Sequence, residues 1–378
     1  MKILHTEASC GWGGQEIRIL SEASGLMARG HGLQIICPAE ACIYEEGKKR
    51  GIPTTALPIG RKNLNGLLAM RRWLASHPVD LLNSHSSTDS WLAALALATL
   101  PSPPPLVRTR HISAPVSGNF ATHWLYTRAT AHIVTTGERL RESLIAENTY
   151  PATQITSVPT GIDTEWFRPP EAGERAAARA ALGLPENALL IGIVATLRDW
   201  KGHQYLIEAF AQQAGALDRP DRPARLVIVG DGPQRRIIVP QIQSLGLAER
   251  IVMPGNREDV RPWLHAFDLF ALPSYANEGV PQALMQALAC GLPAVTTDVG
   301  SIGELTRDQA GDETALVVPP ENSAALGEAL IRLATNEPLR QRLGAKARAH
   351  IAAHFNRETM LDRMEGIFRR VVGQGCKP

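Results

Sequence analysis

The chain has 378 residues, which suggests two domains of ordinary size. A composition of 44% hydrophobic and 20% charged residues is ample for a buried core and excludes an intrinsically disordered protein. The net charge of +2 at pH 7 argues against a dedicated nucleic-acid-binding protein.

Taken in chain order, short β-branched runs alternate with longer helical patterns. After a first buried strand at the N-terminus, the runs predict strands at residues 33–37, 79–84, 132–136, 191–196, 225–230 and 268–273. Continuous apolar runs of this kind are typical of sheets covered on both faces by helices. The alternation predicts parallel βαβ units and a doubly wound α/β architecture.

A break in this pattern predicts two domains. Residues 158–179 include Gly161, Pro169 and Pro170, which end the first series, and a second α/β series begins near Leu189. We predict Rossmann-like domains at 1–168 and 169–355, followed by a helical segment at 356–378 that could pack back on the N-terminal domain. Ligands of such folds bind at the carboxyl ends of the strands, so we expect a cleft there, facing both sheets.

The cysteines and the apolar stretches predict the cellular compartment. The longest apolar stretch, residues 91–100, has ten residues, whereas a membrane-spanning helix needs about 20. The cysteines form no CxxC pair and no cluster with histidine, which favours reduced, cytoplasmic thiols over a disulfide framework or a zinc site. These cysteines are Cys10, Cys37, Cys42, Cys290 and Cys376. We expect a protein that is neither secreted nor membrane-spanning.

Charge is uneven in the first half of the chain. Between Gly47 and Val79 there are seven basic residues and no acidic one, and leucines and a tryptophan lie among these charges in the segment 61–76. Such a face can lie on an anionic membrane surface or attract an anionic acceptor. It can equally be a solvated helix face.

Two loops are candidates for binding a ligand. Glycines at 11, 13 and 14 lie between the first strand and a helix, where backbone amides can approach a phosphate. The pattern is neither GxGxxG nor a Walker motif, and alone it more often marks a tight turn. In the second loop, Glu278 stands just before a helix whose first turn suits Pro281. Glu278 then either faces the cleft or only complements the helix dipole.

The stretch 277–295, NEGVPQALMQALACGLPAV, closely resembles the donor-binding signature of glycosyltransferase family 4, whose members are retaining enzymes with the two-domain GT-B fold. Matching pieces extend over nearly the full chain in the family's order. They are VPTGID at 158–163, WKGHQYLIEAF at 200–210, IVGDGPQR at 228–235, PGNREDV at 254–260 and TTDVGSIGEL at 296–305. The resemblance therefore implies the GT-B fold and transfer from a nucleotide sugar.

The resemblance also implies roles for individual residues. Glu278 matches the acid that holds hydroxyls of the donor sugar, and His111 matches the histidine beside the anomeric centre, so both are expected in catalysis. Lys201 matches the lysine that neutralises the diphosphate. The other expected donor-binding residues are Gly13, Gly14, Arg198, Gly255, Asn256, Gly279, Val280, Pro281, Gln282 and Gln286.

Two positions depart from the family pattern. The second acid of the E-x7-E motif, which normally holds the ribose, is Gln286, and an amide lacks the charge-assisted strength of a carboxylate. The family's phosphate-loop arginine aligns with Thr196, and Arg198 could supply that charge instead. Both departures bear on donor affinity and nucleotide preference.

Three residues of the first domain are candidates for the acceptor side. His85 ends a strand, and Arg108 and Arg110 precede His111, where they could bind an anionic acceptor. The alternatives are a simple strand-end histidine and surface arginines. No Asp-x-Asp triplet occurs, so we expect no metal and no cofactor beyond the donor, most commonly a UDP-sugar.

These observations predict a cytoplasmic retaining glycosyltransferase. It would move a sugar to a glycan or lipid-linked acceptor with the α configuration kept, in lipopolysaccharide or other cell-surface polysaccharide synthesis, with peripheral contact at the anionic inner membrane face and no nucleic-acid partner. One alternative is a GT-B phosphorylase or nucleotide-sugar epimerase. The other is a non-catalytic nucleotide-sugar-binding protein, which the departures at Thr196 and Gln286 would fit.

Overall fold

The computed structural model describes residues 1–112, 114–219 and 221–375, which form two compact units. The first unit is Met1–Gly161 together with the C-terminal helix from Arg357, and the second is Ile162–Asn356. The predicted domain boundary was at residue 168, and the C-terminal segment was predicted to start at residue 356. Cys376 lies outside the described residues.

The first unit is built on a seven-stranded parallel sheet in the order β3-β2-β1-β4-β5-β6-β7. Its strands are β1 Lys2–Thr6, β2 Gly32–Cys37, β3 Thr54–Ala56, β4 Leu81–Ser84, β5 Leu106–Arg110, β6 His132–Thr135 and β7 Ile155–Ser157. Its helices are α1 Gly14–Ala28, α2 Cys42–Lys49, α3 Leu64–Ser76, α4 Ser87–Leu97, α5 Phe120–Thr127 and α6 Glu138–Ala146.

Five strands of this sheet, β1, β2, β4, β5 and β6, each contribute to two apolar layers. Ile3 and Ile35 belong to a core on one face of the sheet, and their neighbours Leu4 and Ile36 belong to a core on the other face. Successive side chains of a strand point to opposite faces, so a continuously apolar strand fills both cores. This explains why the predicted strands have no polar alternation.

The second unit has a six-stranded parallel sheet in the order β10-β9-β8-β11-β12-β13. Its strands are β8 Leu189–Val194, β9 Ala224–Val229, β10 Ile251–Gly255, β11 Leu269–Leu272, β12 Ala294–Thr296 and β13 Leu316–Val317. Its helices are α7 Glu174–Ala181, α8 His203–Leu217, α9 Arg235–Ser244, α10 Arg261–Ala266, α11 Gln282–Ala289, α12 Gly303–Thr306, α13 Ser323–Thr335 and α14 Glu337–His354. The predicted doubly wound α/β architecture is confirmed in both units.

The C-terminal helix, α15 Arg357–Gly375, packs on α1 of the first unit. Arg29, just after α1, forms ion pairs with Glu358 at 2.7 Å, Asp362 at 2.8 Å and Glu365 at 3.1 Å. A Cβ at Gly25 would lie 2.4 Å from Leu361 Cδ1, so a larger residue there would require the Leu361 side chain to shift. Among the described residues, no helix is both long and apolar enough to cross a bilayer.

Candidate active site

The loops after five strands of the second unit meet at one edge of its sheet, because parallel strands end there. Backbone hydrogen bonds join neighbouring loops. Leu197 N donates to Asp231 O at 3.1 Å, Gly230 N to Gly255 O at 3.0 Å, and Tyr275 N to Trp200 O at 2.8 Å. The loop after β12 joins through Thr297, whose hydroxyl donates to Ser274 O at 2.5 Å. The edge is therefore a continuous hydrogen-bonded surface.

An ion pair between Glu278 and Lys201 lies at the centre of this edge. Lys201 Nζ donates to Glu278 Oε1 at 2.6 Å, and the hydroxyl of Ser274 donates to the same oxygen at 2.6 Å. The Glu278 side chain is only 6% exposed and the Lys201 side chain 19%. The structure thus brings together two residues to which the resemblance assigns separate roles, sugar binding and diphosphate binding, and it adds Ser274, which the sequence analysis missed.

Close backbone packing fixes the two loops that carry this pair. Gly202, next to Lys201, has φ +72°, and a Cβ there would lie 2.0 Å from the carbonyl oxygen of Pro273. Gly300 has φ +59°, and its Cβ would lie 1.9 Å from the carbonyl oxygen of Glu278. Asn277 also adopts a left-handed conformation, at φ 56°. Glycine is needed at both contacts because a side chain would meet backbone, which cannot move aside.

The helix that follows Glu278 begins at Gln282, directly after Pro281. Pro281 has φ −72° and ψ 122°, so it precedes α11 in an extended conformation, and Gln282 is the first helical residue. The expectation that Pro281 occupies the first helical turn is wrong by this one residue. Gly279 and Val280 lie between Glu278 and the helix, and Gln286 lies in its second turn, half-buried.

The remaining predicted donor-binding residues of this unit lie on the same edge. Arg198 is exposed, with its guanidinium 5.7 Å from the Trp200 ring centroid. Gly255 ends β10 with φ +82° and open space where a Cβ would be, and Asn256 after it is exposed. An exposed arginine and an open glycine backbone are suited to an anionic, flat ligand such as a nucleotide.

The first unit presents its own edge, and the glycine loop lies there. Gly13 is extended and precedes α1, which begins at Gly14. Behind the loop, the buried carboxylate of Glu7 accepts from Ser9 N at 2.6 Å and from the side-chain amide of Gln15. Burial, and next the nearby Asp89 carboxylate, hold the pKa of Glu7 well above its usual value.

His85 and His111 are joined in a chain of histidines that begins with His5. His5 Nδ1 lies 2.8 Å from His85 Nε2, and His85 Nδ1 lies 2.9 Å from His111 Nε2. Burial lowers the pKa of His5 to about 3 and those of His85 and His111 well below 6.5. His5 was not among the predicted site residues. Its signal was the polar run His5-Thr6-Glu7, unusual at the end of an apolar strand.

Arg108 and Arg110 share one aromatic partner. The guanidinium of Arg108 lies 4.3 Å from the Tyr126 ring centroid, and Arg110 Nη1 donates to the Tyr126 hydroxyl at 2.9 Å. Arg108 is only 4% exposed, so the alternative of a surface arginine is wrong for it. Its Nη1 is buried and has no hydrogen-bond partner among the described residues.

Two protein-family models together match most of this chain. The family model "Glycosyltransferase Family 4" matches residues 12–166, and "Glycosyl transferases group 1" matches residues 174–350. A D-inositol 3-phosphate glycosyltransferase of Mycobacterium marinum is 28% identical over 317 residues, 78% of this chain and 64% of its own length. That of Saccharomonospora viridis is 29% identical over 78% of this chain and 70% of its own. The chain thus spans less than two thirds of the first relative.

Solved structures share the fold. A glycosyltransferase of Rickettsia africae superposes with a TM-score of 0.84 at 18% identity, covering 98% of both chains. Anabaena HepE in complex with UDP-glucose superposes with a TM-score of 0.83 at 22% identity, covering 98% of this chain and all of that one. WaaG, involved in lipopolysaccharide biosynthesis, gives 0.71 at 18% identity over 95% and 98%. The chain has the GT-B fold and belongs to glycosyltransferase family 4.

Proposed function

We propose that this protein is a retaining glycosyltransferase that moves a sugar from a nucleotide-diphosphate sugar to a glycan or lipid-linked acceptor. The observation that carries the proposal is the buried Glu278–Lys201 pair, which places a carboxylate and an ammonium side by side at the sheet edge. A carboxylate can hold sugar hydroxyls, and an ammonium can hold a diphosphate. The UDP-glucose complex of HepE makes a UDP-sugar the first donor to test.

The reaction needs stabilisation of negative charge more than a protein nucleophile. The bond from the anomeric carbon to the phosphate oxygen breaks, and the acceptor oxygen bonds to that carbon on the same face. The acceptor's proton passes to the departing diphosphate. Lys201, Arg198 and the backbone amides before α11 would stabilise the leaving group by preorganised positive charge, so we propose that no metal ion is required.

The acceptor is proposed to carry an anionic group. The buried Nη1 of Arg108, which has no hydrogen-bond partner among the described residues, supports this proposal. Burying a guanidinium nitrogen without a hydrogen-bond partner costs free energy, and an anionic group would supply the missing partner. Lys62 lies near Arg108. Its own burial, and next the charge of Arg108, lower the pKa of Lys62. The two relatives named above are D-inositol 3-phosphate glycosyltransferases. The acceptor class to test is therefore a sugar phosphate or a phosphate-bearing precursor of a cell-surface glycan, lipopolysaccharide included.

Ligand-observed NMR with UDP-, GDP-, ADP- and TDP-sugars would test the donor and the stereochemistry together. We expect one nucleotide sugar to bind selectively and to release or transfer its sugar first as the α anomer, at the same rate with EDTA. A first-formed β anomer would refute retention, and loss of activity with EDTA would refute metal independence. Sugar 1-phosphate formed only with added phosphate would identify a phosphorylase. Binding without turnover on any acceptor would support the non-catalytic alternative.

Peripheral membrane contact is proposed for helix α3. It exposes Leu64 (68%) and Leu68 (39%), and the exposed Arg71 and Arg72 follow one turn later on the same side. Apolar residues beside basic ones suit an anionic lipid surface, where each arginine contributes about 1 kcal/mol.

Vesicle sedimentation of the double variant Arg71→Ser/Arg72→Ser would test this contact. We expect about 30-fold weaker binding to phosphatidylglycerol-containing vesicles, from about 2 kcal/mol of lost attraction. The matched control is Lys48→Ser/Lys49→Ser on α2, because these lysines pair with Glu45 and Glu46. Equal binding by the wild type and the α3 variant would refute the contact.

A further inference from the structure

The three histidines of the first unit come from three adjacent strands. His5 lies in β1, His85 directly follows β4, and His111 directly follows β5, and these strands are neighbours in the order β1-β4-β5. The ring centroids of His5 and His85 are 5.1 Å apart with an angle of 17° between the planes, and those of His85 and His111 are 5.2 Å apart with the planes tilted by 35°. Each pair is joined ring nitrogen to ring nitrogen, at 2.8 and 2.9 Å.

The two hydrogen bonds are coupled through the central ring. A neutral imidazole has one N–H donor and one acceptor nitrogen, and His85 uses both nitrogens in the chain. If His85 donates to His5, it must accept from His111, whose Nε2 then carries the proton. If His85 donates to His111 instead, His111 is protonated at Nδ1. The three hydrogen-bonded histidines therefore have two tautomeric states. In the first state Nδ1 of His111 is an acceptor, and in the second it is a donor.

All three rings are neutral in the ordinary pH range. Burial is the main reason, and the charge of Arg18 adds to it, because a cation nearby disfavours a second one. Arg18 is fully buried and fixed, with Nη1 donating to Val158 O at 2.7 Å and to the Thr160 hydroxyl at 3.2 Å. Neutral rings are what the two nitrogen-to-nitrogen bonds require.

A buried carboxylate, that of Glu22, lies beside His5, the first of the three hydrogen-bonded histidines. Glu22 Oε1 is 3.9 Å from His5 Nε2, and Glu22 Oε2 is 3.6 Å from Arg18 Nε, with all three side chains fully buried. An ionised carboxylate attracts an N–H and repels a lone pair, so it favours the proton on His5 Nε2. Through the coupled bonds, this choice places the proton of His111 on Nε2.

We propose that Glu22, His5 and His85 form a tautomer relay that keeps His111 protonated at Nε2, so that its Nδ1 accepts a hydrogen bond from a sugar hydroxyl of the substrate. Glu22, His5 and His85 are then positioning residues, and His111 is the residue that contacts substrate. The tautomer is a property of the protein alone, whereas the contact with a sugar hydroxyl rests on the proposed glycosyltransferase function.

Histidine 15N NMR of the full chain at pH 8 tests the relay directly. Burial raises the pKa of Glu22 to about 7, so the carboxyl is mostly ionised at this pH. We expect the Nε2–H tautomer for His5, His85 and His111. In Glu22→Gln, the amide can donate to His5 Nε2, and all three rings should move toward the Nδ1–H form. Glu46→Gln, which removes a carboxylate from α2 instead, should shift none of them.

A second variant covers the case in which Glu22→Gln does not fold. In His5→Asn the amide can rotate to donate to His85 or to accept from it, so His111 should show a mixture of tautomers. The relay is refuted if wild-type His111 carries its proton on Nδ1 at pH 8. It is also refuted if the folded variants leave the His111 tautomer unchanged.

Kinetics with donor and acceptor analogues test the substrate contact separately. We expect Glu22→Gln to lower kcat/KM about tenfold on complete substrates, the value of one well-formed hydrogen bond. On the deoxy analogue that lacks the contacted hydroxyl, the variant should match the wild type. An equal loss on every analogue would refute the contact while leaving the tautomer result intact. Absence of any glycosyl transfer would refute the proposed function and not the relay.

Discussion

Glu278→Gln is expected to lower kcat by about two to three orders of magnitude while the protein remains folded. The carboxylate accepts from Lys201 and Ser274 through one oxygen, and it is 6% exposed, so its charge acts in a medium that screens it little. A neutral amide keeps the shape and loses the charge-assisted bonds. Removing one preorganised electrostatic contact costs an enzyme about 3 kcal/mol of transition-state stabilisation, which corresponds to the expected fall in kcat. Steady-state kinetics and a thermal melt would measure both quantities.

A chemically matched control separates charge loss at the site from charge loss elsewhere. Glu208 on α8 also accepts from a serine hydroxyl, that of Ser323 at 2.7 Å, and its side chain is half-buried. Glu208→Gln should turn over donor at the wild-type rate within about twofold, because only a distant contact changes. If Glu278→Gln retained activity comparable to this control, the Glu278–Lys201 pair would not be part of the catalytic site.

Gly202→Ala is expected to destabilise the second unit by about 3 kcal/mol or more and to abolish activity. Its φ of +72° strains any L-residue, and its new Cβ would lie 2.0 Å from the carbonyl oxygen of Pro273. Relief of that contact requires the loop after β8 to move away from the loop after β11, which separates Lys201 from Glu278. Urea unfolding followed through tryptophan fluorescence would give the free energy of unfolding.

The control for this substitution is Gly183→Ala. Gly183 has a similar φ of +65°, but open space surrounds the position where its Cβ would lie. Only the backbone strain remains, about 1 to 2 kcal/mol. A loss of stability in Gly202→Ala no larger than in Gly183→Ala would show that the two loops are not held in contact as the structure has them.

Most of the strands with four or more residues were predicted, whereas β10, with five residues, and the four strands of two or three residues were not. The run predicted at 225–230 is β9, Ala224–Val229, and the run predicted at 268–273 contains β11, Leu269–Leu272. β13 has two residues and β3, β7 and β12 have three each, and none of these four strands was predicted. Runs this short carry no measurable periodicity, and they become strands because a neighbouring strand supplies hydrogen bonds.

The candidate site likewise combines residues that the sequence picked out with partners that only the tertiary structure shows. Resemblance to the family picked out Glu278 and Lys201, which are 77 residues apart in the chain. That they form one ion pair with Ser274 depends on β8 and β11 being neighbours in the sheet. Likewise His85 and His111 were candidates. Glu22 was not, because a single buried residue without a motif gives no signal, and His5 was missed although polar residues end its otherwise apolar strand.

The sequence by itself determined the fold class, the family and the residues of the donor signature, because these depend on local apolar runs and on short motifs of fixed spacing. Only the tertiary structure decided the partners of those residues: Ser274 and Lys201 on Glu278, Tyr126 on the two arginines, and the chain from Glu22 through His5 and His85 to His111. Such partnerships are set by strand order and by the burial of charge, and both arise from contacts between segments distant in the chain.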